Sequence, residues 1–415
     1  MTKNNVNKFI RMLVYLVVFL LPFYIFRFKV GPVRTNLFEI SIFATFVIFA
    51  IEQLFTGKFK KMQFGGFVPL IFVLVALLSI IQSDSLITGL GIFKGWFLTP
   101  FLLYLMIINL FDKESLPKLS IPLFCSLILV SFWAYLQKGG IIAELFYQSG
   151  DASFSQYLAQ NRFFGPFESP NFLAMFVAPV FFLAIPLLPK IRNIIVRILV
   201  GASLLLPIYA LILAGSRGGL IAFGASVLVF VILMFLPAIK KYASALSLVK
   251  IIGLVATNIA YFYYFIQVKF PEAAASDKIR QEIYEYATKM LKTDWLFGIG
   301  LGNFQAKVET LSIANSSFIN FGLPYALHPH NLLLAIWLNL GLAGIVAFLI
   351  IIGNFLKQVI TSAPSIARAS ATAAMTAILI HGLFDTTYFK NDLSAICWII
   401  LAISLVQEEK KTRNA

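Results

Sequence analysis

Residues 323–352 read LPYALHPHNLLLAIWLNLGLAGIVAFLIII. After His330 and Asn331 the residues are almost all apolar, and the run over 331–356 is long enough, as a helix, to cross roughly 30 Å of hydrocarbon. One such helix would be unremarkable as a core element. Here, however, runs of comparable length recur along the chain, at about 9–28, 36–55, 66–83, 91–111, 118–137, 171–188, 194–214, 218–237, 249–267, 331–356, 367–387 and 391–408. Of the 415 residues, 60% are hydrophobic and 12% charged, and the mean hydropathy is +0.89. A soluble domain of this length cannot hide that much apolar surface. Transmembrane barrel strands are about 10 residues long and alternate in polarity, which these runs do not. The expectation is an all-α polytopic membrane protein with about 12 transmembrane helices, residues 1–415 forming a single transmembrane domain.

The first run, FIRMLVYLVVFLLPFYIF (residues 9–26), is too long for a signal-peptide core and has no small-residue cleavage site, so it reads as a first span. An even number of spans puts both termini on one side. More than half of the 33 Lys and Arg residues then fall in the short segments on the side of the termini, which makes that side cytoplasmic. The net charge of +15 is scattered over loops and forms no dense basic tract beside aromatics, which argues against nucleic acid as a partner. Cys125 and Cys397 lie within apolar runs and read as small core residues rather than a disulfide. Two outer segments are long, 138–170 and 268–330. The second holds SDKIRQEIYEYATKMLKTD (276–294), an amphipathic helix that Ser276 would cap, with Ile279, Ile283, Tyr286 and Met290 on one face toward a membrane surface.

Polar groups at span ends on the outer side carry the chemistry. In NRFFGPFESPNFLA (161–174), Arg162 precedes a span beginning at Asn171. That helix N-terminus suits an anion, although Asn171 also reads as an ordinary N-cap. In AGSRGGLIAF (214–223), Arg217 sits in a minimal turn whose glycines let the backbone bend and let a ligand approach. Snorkelling to the interface is the competing explanation. Arg280 taken alone is a surface arginine. GIGLGNF (298–304) lacks the strand and lysine of a phosphate loop, which excludes a nucleotide-binding reading. His330 and Asn331 open a span in which Gly341 and Gly344 allow close helix packing. A histidine at this boundary suits a general base, and its neighbour His328 could share the role. Arginine suits bidentate binding of phosphate oxygens. Lys94, near an outer span end, could meet a lipid phosphate or simply snorkel. His381 and Asp385 could form a structural i,i+4 pair or join the site. No Cys/His cluster has the spacing of a metal site, and no cofactor is called for. Residue types and spacing therefore suggest an outward-facing transferase acting on a lipid-linked phosphate.

These stretches resemble the O-antigen ligase family and its polymerase relatives. HNLLLAIWLNLGLAG matches the pattern of His, then Asn/Ser/Gln, nine residues, Gly, two residues and Gly/Thr/Tyr, at His330, Asn331, Gly341 and Gly344. AGSRGGLIAF resembles the Ser-Arg-Gly segment that opens a span. RQEIYEYATKMLKTDWLFGIGLGNF (280–304) resembles the loop that starts at Arg and ends in a glycine-rich turn, with Tyr284 and Trp295 where relatives often carry Trp and Pro. NRFFGPFESPNFLA resembles an Arg-x-x-Gly segment ending in Pro-Asn. The resemblance covers about residues 155–350. It implies a GT-C-type glycosyltransferase of the bacterial inner membrane, independent of metal and inverting, with its active site facing the periplasm and both termini in the cytoplasm. Its partners would be an undecaprenyl-pyrophosphate-linked glycan donor, a glycan or lipid A-core acceptor, and membrane lipids. His330 would be the base, Arg162 and Arg280 the pyrophosphate ligands, with Arg217 and Asn331 supporting them. A polymerase extending the lipid-linked glycan is the nearest rival. A transporter of lipid-linked glycan or anions is the rival of a different class, and it would place charges near mid-bilayer.

Overall fold

The structure, a computed structural model, describes residues 3–31, 33–142, 157–242, 273–315, 328–361 and 364–408. It is a helical bundle. In order, α1 (Lys3–Phe19), a hairpin of β1 (Arg27–Val30) and β2 (Val33–Asn36), α2 (Leu37–Phe55), α3 (Phe67–Leu78), α4 (Leu86–Phe93), α5 (Thr99–Leu110) and α6 (Ser120–Lys138) form the first half. Then follow α7 (Pro170–Ala184), α8 (Ile194–Ser203), α9 (Leu205–Ala214), α10 (Arg217–Tyr242), α11 (Ala273–Asp294), α12 (Phe304–Asn315), α13 (Leu332–Thr361), α14 (Ile366–His381) and α15 (Asn391–Glu408). A π-helical turn, Lys94–Leu98, joins α4 to α5.

Seven continuous helical stretches among the described residues are long and apolar enough to cross a membrane: Leu37–Phe55, Leu86–Leu110, Leu116–Lys138, Pro170–Lys190, Ile194–Ala214, Arg217–Phe235 and Leu332–Thr361. Shorter apolar helices occupy Phe67–Gln82, Ile366–His381 and Asn391–Gln407. The chain is therefore a mostly helical polytopic membrane protein. The expected span 249–267 lies outside the described residues. The expected span 367–387 stops earlier, because α14 ends at His381, and this leaves Asp385 in the connection to α15.

Chain alternation is visible in how the loops meet. Connections expected on one side touch each other at one end of the bundle. Arg11 Nε donates to Leu110 O at 2.6 Å, Gln63 N to Asn109 Oδ1 at 2.8 Å, and Ser120 Oγ to Leu183 O at 2.8 Å. The described parts of the other connections meet one another and build the candidate site described below. Between the two ends the interior is apolar. Buried Trp398 stacks edge-on with Phe101 and Tyr104, and its Nε1 donates to Tyr388 Oη at 3.0 Å. An indole N–H without a partner would be costly so far from water.

Three local expectations change. α11 starts at Ala273, so Ser276 lies within the helix rather than before it. Its apolar face, with Ile283, Tyr286 and Met290, is buried against Ile299, Phe304, Val308 and Leu338 of the protein itself, not turned to a membrane surface. A self-made core satisfies the amphipathic pattern as well as lipid would. Ile279 has no described side chain. Cys125 is exposed on α6, and only Cys397 is a core residue; both are free.

Candidate active site

The segment carrying His330 is held by a backbone clasp. Gly341 interrupts α13 with φ 66° and ψ −167°, a conformation essentially reserved for glycine. Into this break fits the connection between α11 and α12. Leu342 N donates to Leu296 O at 3.0 Å, and Ile299 N donates to Leu338 O at 2.6 Å. A Cβ on Gly341 would stand 2.3 Å from Leu296 O, and one on Gly298 would stand 2.5 Å from Leu338 O. The glycines of GIGLG thus allow backbone to meet backbone. Gly341 serves a loop crossing rather than the helix-on-helix contact expected of it. Farther along, Asn303 Nδ2 donates to Gln82 O at 2.8 Å and Ser83 Oγ donates to Leu301 O at 2.8 Å, tying the same loop to the start of α4.

At the N-terminal end of α13, Asn331 caps the helix by accepting from Leu334 N at 3.1 Å, while its Nδ2 donates to Leu383 O at 3.3 Å. This occupies the side chain expected to help bind substrate. Leu332 N donates to Gly382 O at 2.7 Å. Between these anchors His330 adopts φ 46°, the left-handed region that costs a non-glycine residue about 1–3 kcal/mol. Tyr284, one turn after Arg280 on α11, donates its hydroxyl to His330 O at 2.9 Å and to Leu383 O at 3.3 Å.

From His330 a polar chain runs across three elements. His330 Nδ1 lies 3.1 Å from Asp385 Oδ1. Asp385 Oδ2 accepts from Asn171 Nδ2 at 3.1 Å, and Asn171 Oδ1 accepts from Arg162 Nη2 at 3.2 Å. Ser169, not Asn171, caps α7, accepting from Phe172 N at 3.3 Å. Asn171 is thereby left to bridge. Burial alone would raise the Asp385 pKa. The adjacent His330, its hydrogen bond, His381 and the Thr386 N–H outweigh burial and hold the carboxyl well below the usual range. Asp385 is therefore ionised at neutral pH and accepts from His330 Nδ1–H. This selects the tautomer with the ring's lone pair on Nε2.

Arg162 occupies the far end of this chain. Gly215 takes φ 57° in the two-residue turn between α9 and α10. The Arg162 side chain lies over it, with Nε donating to Ala214 O at 3.2 Å. Burial makes Arg162 easier to deprotonate than a free arginine. Tyr157 opposes this, while the positive charges of Arg280 and Arg217 add to it, so all three guanidiniums share one field. Gly218 and Gly219, expected to admit a ligand, instead make room for His381 and Ala174. A Cβ on Gly218 would lie 3.0 Å from His381 Cδ2. His381 is buried, and among the described residues its Nδ1 has no hydrogen-bond partner and no ion pair with Asp385 forms. Asp385 turns to His330 instead.

Two further candidates stand apart. His328 is pushed down to about 4 by burial, with His330 adding to the shift, and its ring packs on Trp96 and Phe389. A half-buried ring held neutral between two aromatic rings serves packing. Lys94 Nζ pairs with buried Glu39 Oε2 at 2.6 Å and donates to Arg34 O at 2.7 Å. Among the described residues, no group of three His, Cys, Asp or Glu side chains could hold a metal.

Beside the site lies a cluster that the sequence reading did not pick out. Glu168 accepts from Tyr24 Oη at 2.8 Å and pairs with Arg27 and Lys390, and Lys390 Nζ sits 3.6 Å over the Phe172 ring. A lone acidic residue just before a span start, in GPFESPN, was the available signal. Burial would raise the Glu168 pKa, but Lys390 and Arg27 overcome it and hold the group at about 2. A depressed carboxylate pKa stabilises the fold above the unfolded value near 4.5, and the contribution is lost as pH falls toward 2. Thermal melts in detergent should therefore show an acid-induced loss between those values that is smaller in Glu168→Gln, the remainder coming from groups such as Asp385. A wild-type slope confined to pH 5–7 would count against this.

A model of the O-antigen ligase family matches residues 202–349. This segment contains Arg217, Arg280, His330, Asn331, Gly341 and Gly344. A protein of Rickettsia felis, provisionally named a polysaccharide ligase, is 23% identical over 210 residues, covering 49% of this chain and 50% of the relative. The chain thus spans about half the length of the curated relative it matches. The resemblance read from the motifs is shown over the matched segment.

Proposed function

We propose that this protein is an O-antigen-ligase-like glycosyltransferase that moves a glycan from undecaprenyl pyrophosphate to an acceptor hydroxyl, the acceptor being a lipid A-core sugar. The observation that carries this reading is the chain from His330 through Asp385 and Asn171 to Arg162, whose guanidinium also feels the charges of Arg217 and Arg280. In the reaction, the acceptor oxygen attacks the anomeric carbon and the bond from that carbon to the pyrophosphate oxygen breaks. The bond's electron pair leaves with the pyrophosphate, where Arg162, Arg217 and Arg280 offset the charge. The acceptor proton passes to His330 Nε2, and Asp385 stabilises the resulting imidazolium. Attack opposite the leaving group inverts the anomeric centre. No step calls for a metal ion, so transfer should persist in EDTA. The setting is a bacterial inner membrane, with twelve spans in a GT-C-type arrangement, both termini cytoplasmic and the site periplasmic.

The arginine assignment is tested by donor kinetics. Arg217→Ala and Arg280→Ala each remove a charged hydrogen-bonding group and should weaken donor use by about 10–100-fold in kcat/KM. Unchanged donor kinetics in both variants would remove the arginines from the site.

Tyr284 is a positioning residue in this scheme, because one hydroxyl joins the helix of Arg280 to the strained His330 backbone. Tyr284→Phe should lower kcat by about 3–10-fold with donor KM nearly constant, since the lost bond places the base rather than the phosphate. A change in KM alone would contradict that role.

A further inference from the structure

The hairpin between α1 and α2 pairs Phe28 with Thr35 and Val30 with Val33 on one face, and Arg27 with Asn36 and Lys29 with Arg34 on the other. Side chains alternate across a strand, so one face is apolar and the other basic. A soluble two-stranded hairpin would bury its apolar face, yet Phe28, Val30 and Val33 are 42%, 59% and 51% exposed. Lys29 and Arg34 are exposed as well. The apolar face continues into exposed Leu37 and Ile40 at the start of α2, one of the membrane-length helices. The hairpin is also fixed in place, by Arg27 on Glu168, by Lys94 on Arg34 O, and by Asn36 Oδ1 accepting from Glu39 N at 2.9 Å. It therefore sits at the end of the bundle that carries the candidate site.

We infer that this hairpin lies in the headgroup layer of the bilayer, with Phe28, Val30 and Val33 against the acyl chains and Lys29 and Arg34 among the phosphates of anionic phospholipids. Charge complementarity selects this occupant. An apolar face alone would suit any hydrophobic partner, but a basic face directly behind it fits the sharp change from hydrocarbon to phosphate within a few ångströms. Nothing in the inference depends on the proposed transfer reaction.

The test uses the full chain in lipid nanodiscs of phosphatidylcholine, with and without phosphatidylglycerol. In a Cys125→Ala background, where remaining Cys397 is buried, a nitrobenzoxadiazole label is placed at Val30→Cys, at Val33→Cys or at Lys29→Cys. The expected result is that labels at 30 and 33 are quenched by doxyl lipids and are about threefold less sensitive to iodide than the label at 29. Phosphatidylglycerol should widen this contrast, and Arg34→Glu should remove the widening. Equal iodide quenching at all three positions would overturn the membrane placement. Contrast that ignores phosphatidylglycerol would overturn the recognition of anionic headgroups. The label at 33 on the second strand guards against local unfolding caused by the label at 30.

Discussion

Replacing His330 with alanine should lower glycan transfer by about 10²–10⁴-fold while leaving donor binding close to wild type, because a positioned general base contributes that much to a transfer step. The expectation is specific to this imidazole. His328, two residues away, is held neutral at about 4 among aromatic rings, and His381 is buried under Gly218. Among the described residues, neither makes the hydrogen bond to a carboxylate that His330 makes at 3.1 Å. His328→Ala should therefore act through packing, seen as a lower melting temperature with residual transfer. Transfer by His330→Ala at the wild-type rate, with loss in His328→Ala, would reassign the base.

Gly341→Ala should be the most damaging change to the fold outside the bundle interior. The substitution places a methyl group 2.3 Å from Leu296 O and forces a side chain into φ 66°, ψ −167°. The backbone conformation alone costs about 1–3 kcal/mol, and relief of the clash requires the 296–299 crossing to detach. Detachment frees the loop that fixes α11 relative to α13, and with it the separation of Arg280 from His330. The variant should therefore lose stability by about 3 kcal/mol or more and lose transfer even at temperatures where it stays folded. Gly344→Ala provides the contrast. Its added methyl would stand 2.1 Å from Leu340 Cβ of its own helix, so it too should destabilise, but with helical backbone angles and without detaching the 296–299 crossing. Equal melting temperatures for wild type and Gly341→Ala would refute the clasp.

Much of the bundle is legible in the sequence because a membrane span is a local property: length and apolarity suffice. That is why the runs at 36–55, 194–214 and 331–356 coincide with helices of membrane length. The end of α14 is harder to place, because Leu383 and Phe384 carry the apolar run past His381 while Gly382 and the turn around Asp385 stop the helix there. The candidate site is legible in the sequence as separate residues but not as a network. Arg280 is singled out only by the motif resemblance, whereas His330, Arg162 and Arg217 are marked by polarity at span ends. Asn171 as a bridge to Asp385 is not, because the two are 214 positions apart. The same holds for Glu168 and Lys390, 222 positions apart. Ordinary caps and loop charges look identical in sequence to groups that meet across a bundle. The glycine-rich turn taught a related lesson. Its spacing records how closely two backbones cross, and only the position of Gly341 shows which two.

The central claim is that one end of this bundle passes a glycan from a lipid pyrophosphate to an acceptor hydroxyl. The most direct measurement offers purified, reconstituted protein an undecaprenyl-pyrophosphate glycan and a lipid A-core acceptor in EDTA, and follows the glycan by mass spectrometry. The expected result is a glycan-bearing acceptor and free undecaprenyl pyrophosphate from the wild type, with neither from Asp385→Ala. A lengthened lipid-linked glycan with the acceptor untouched would show a polymerase instead. Intact substrate moved across the vesicle membrane without a new bond would contradict an enzyme altogether.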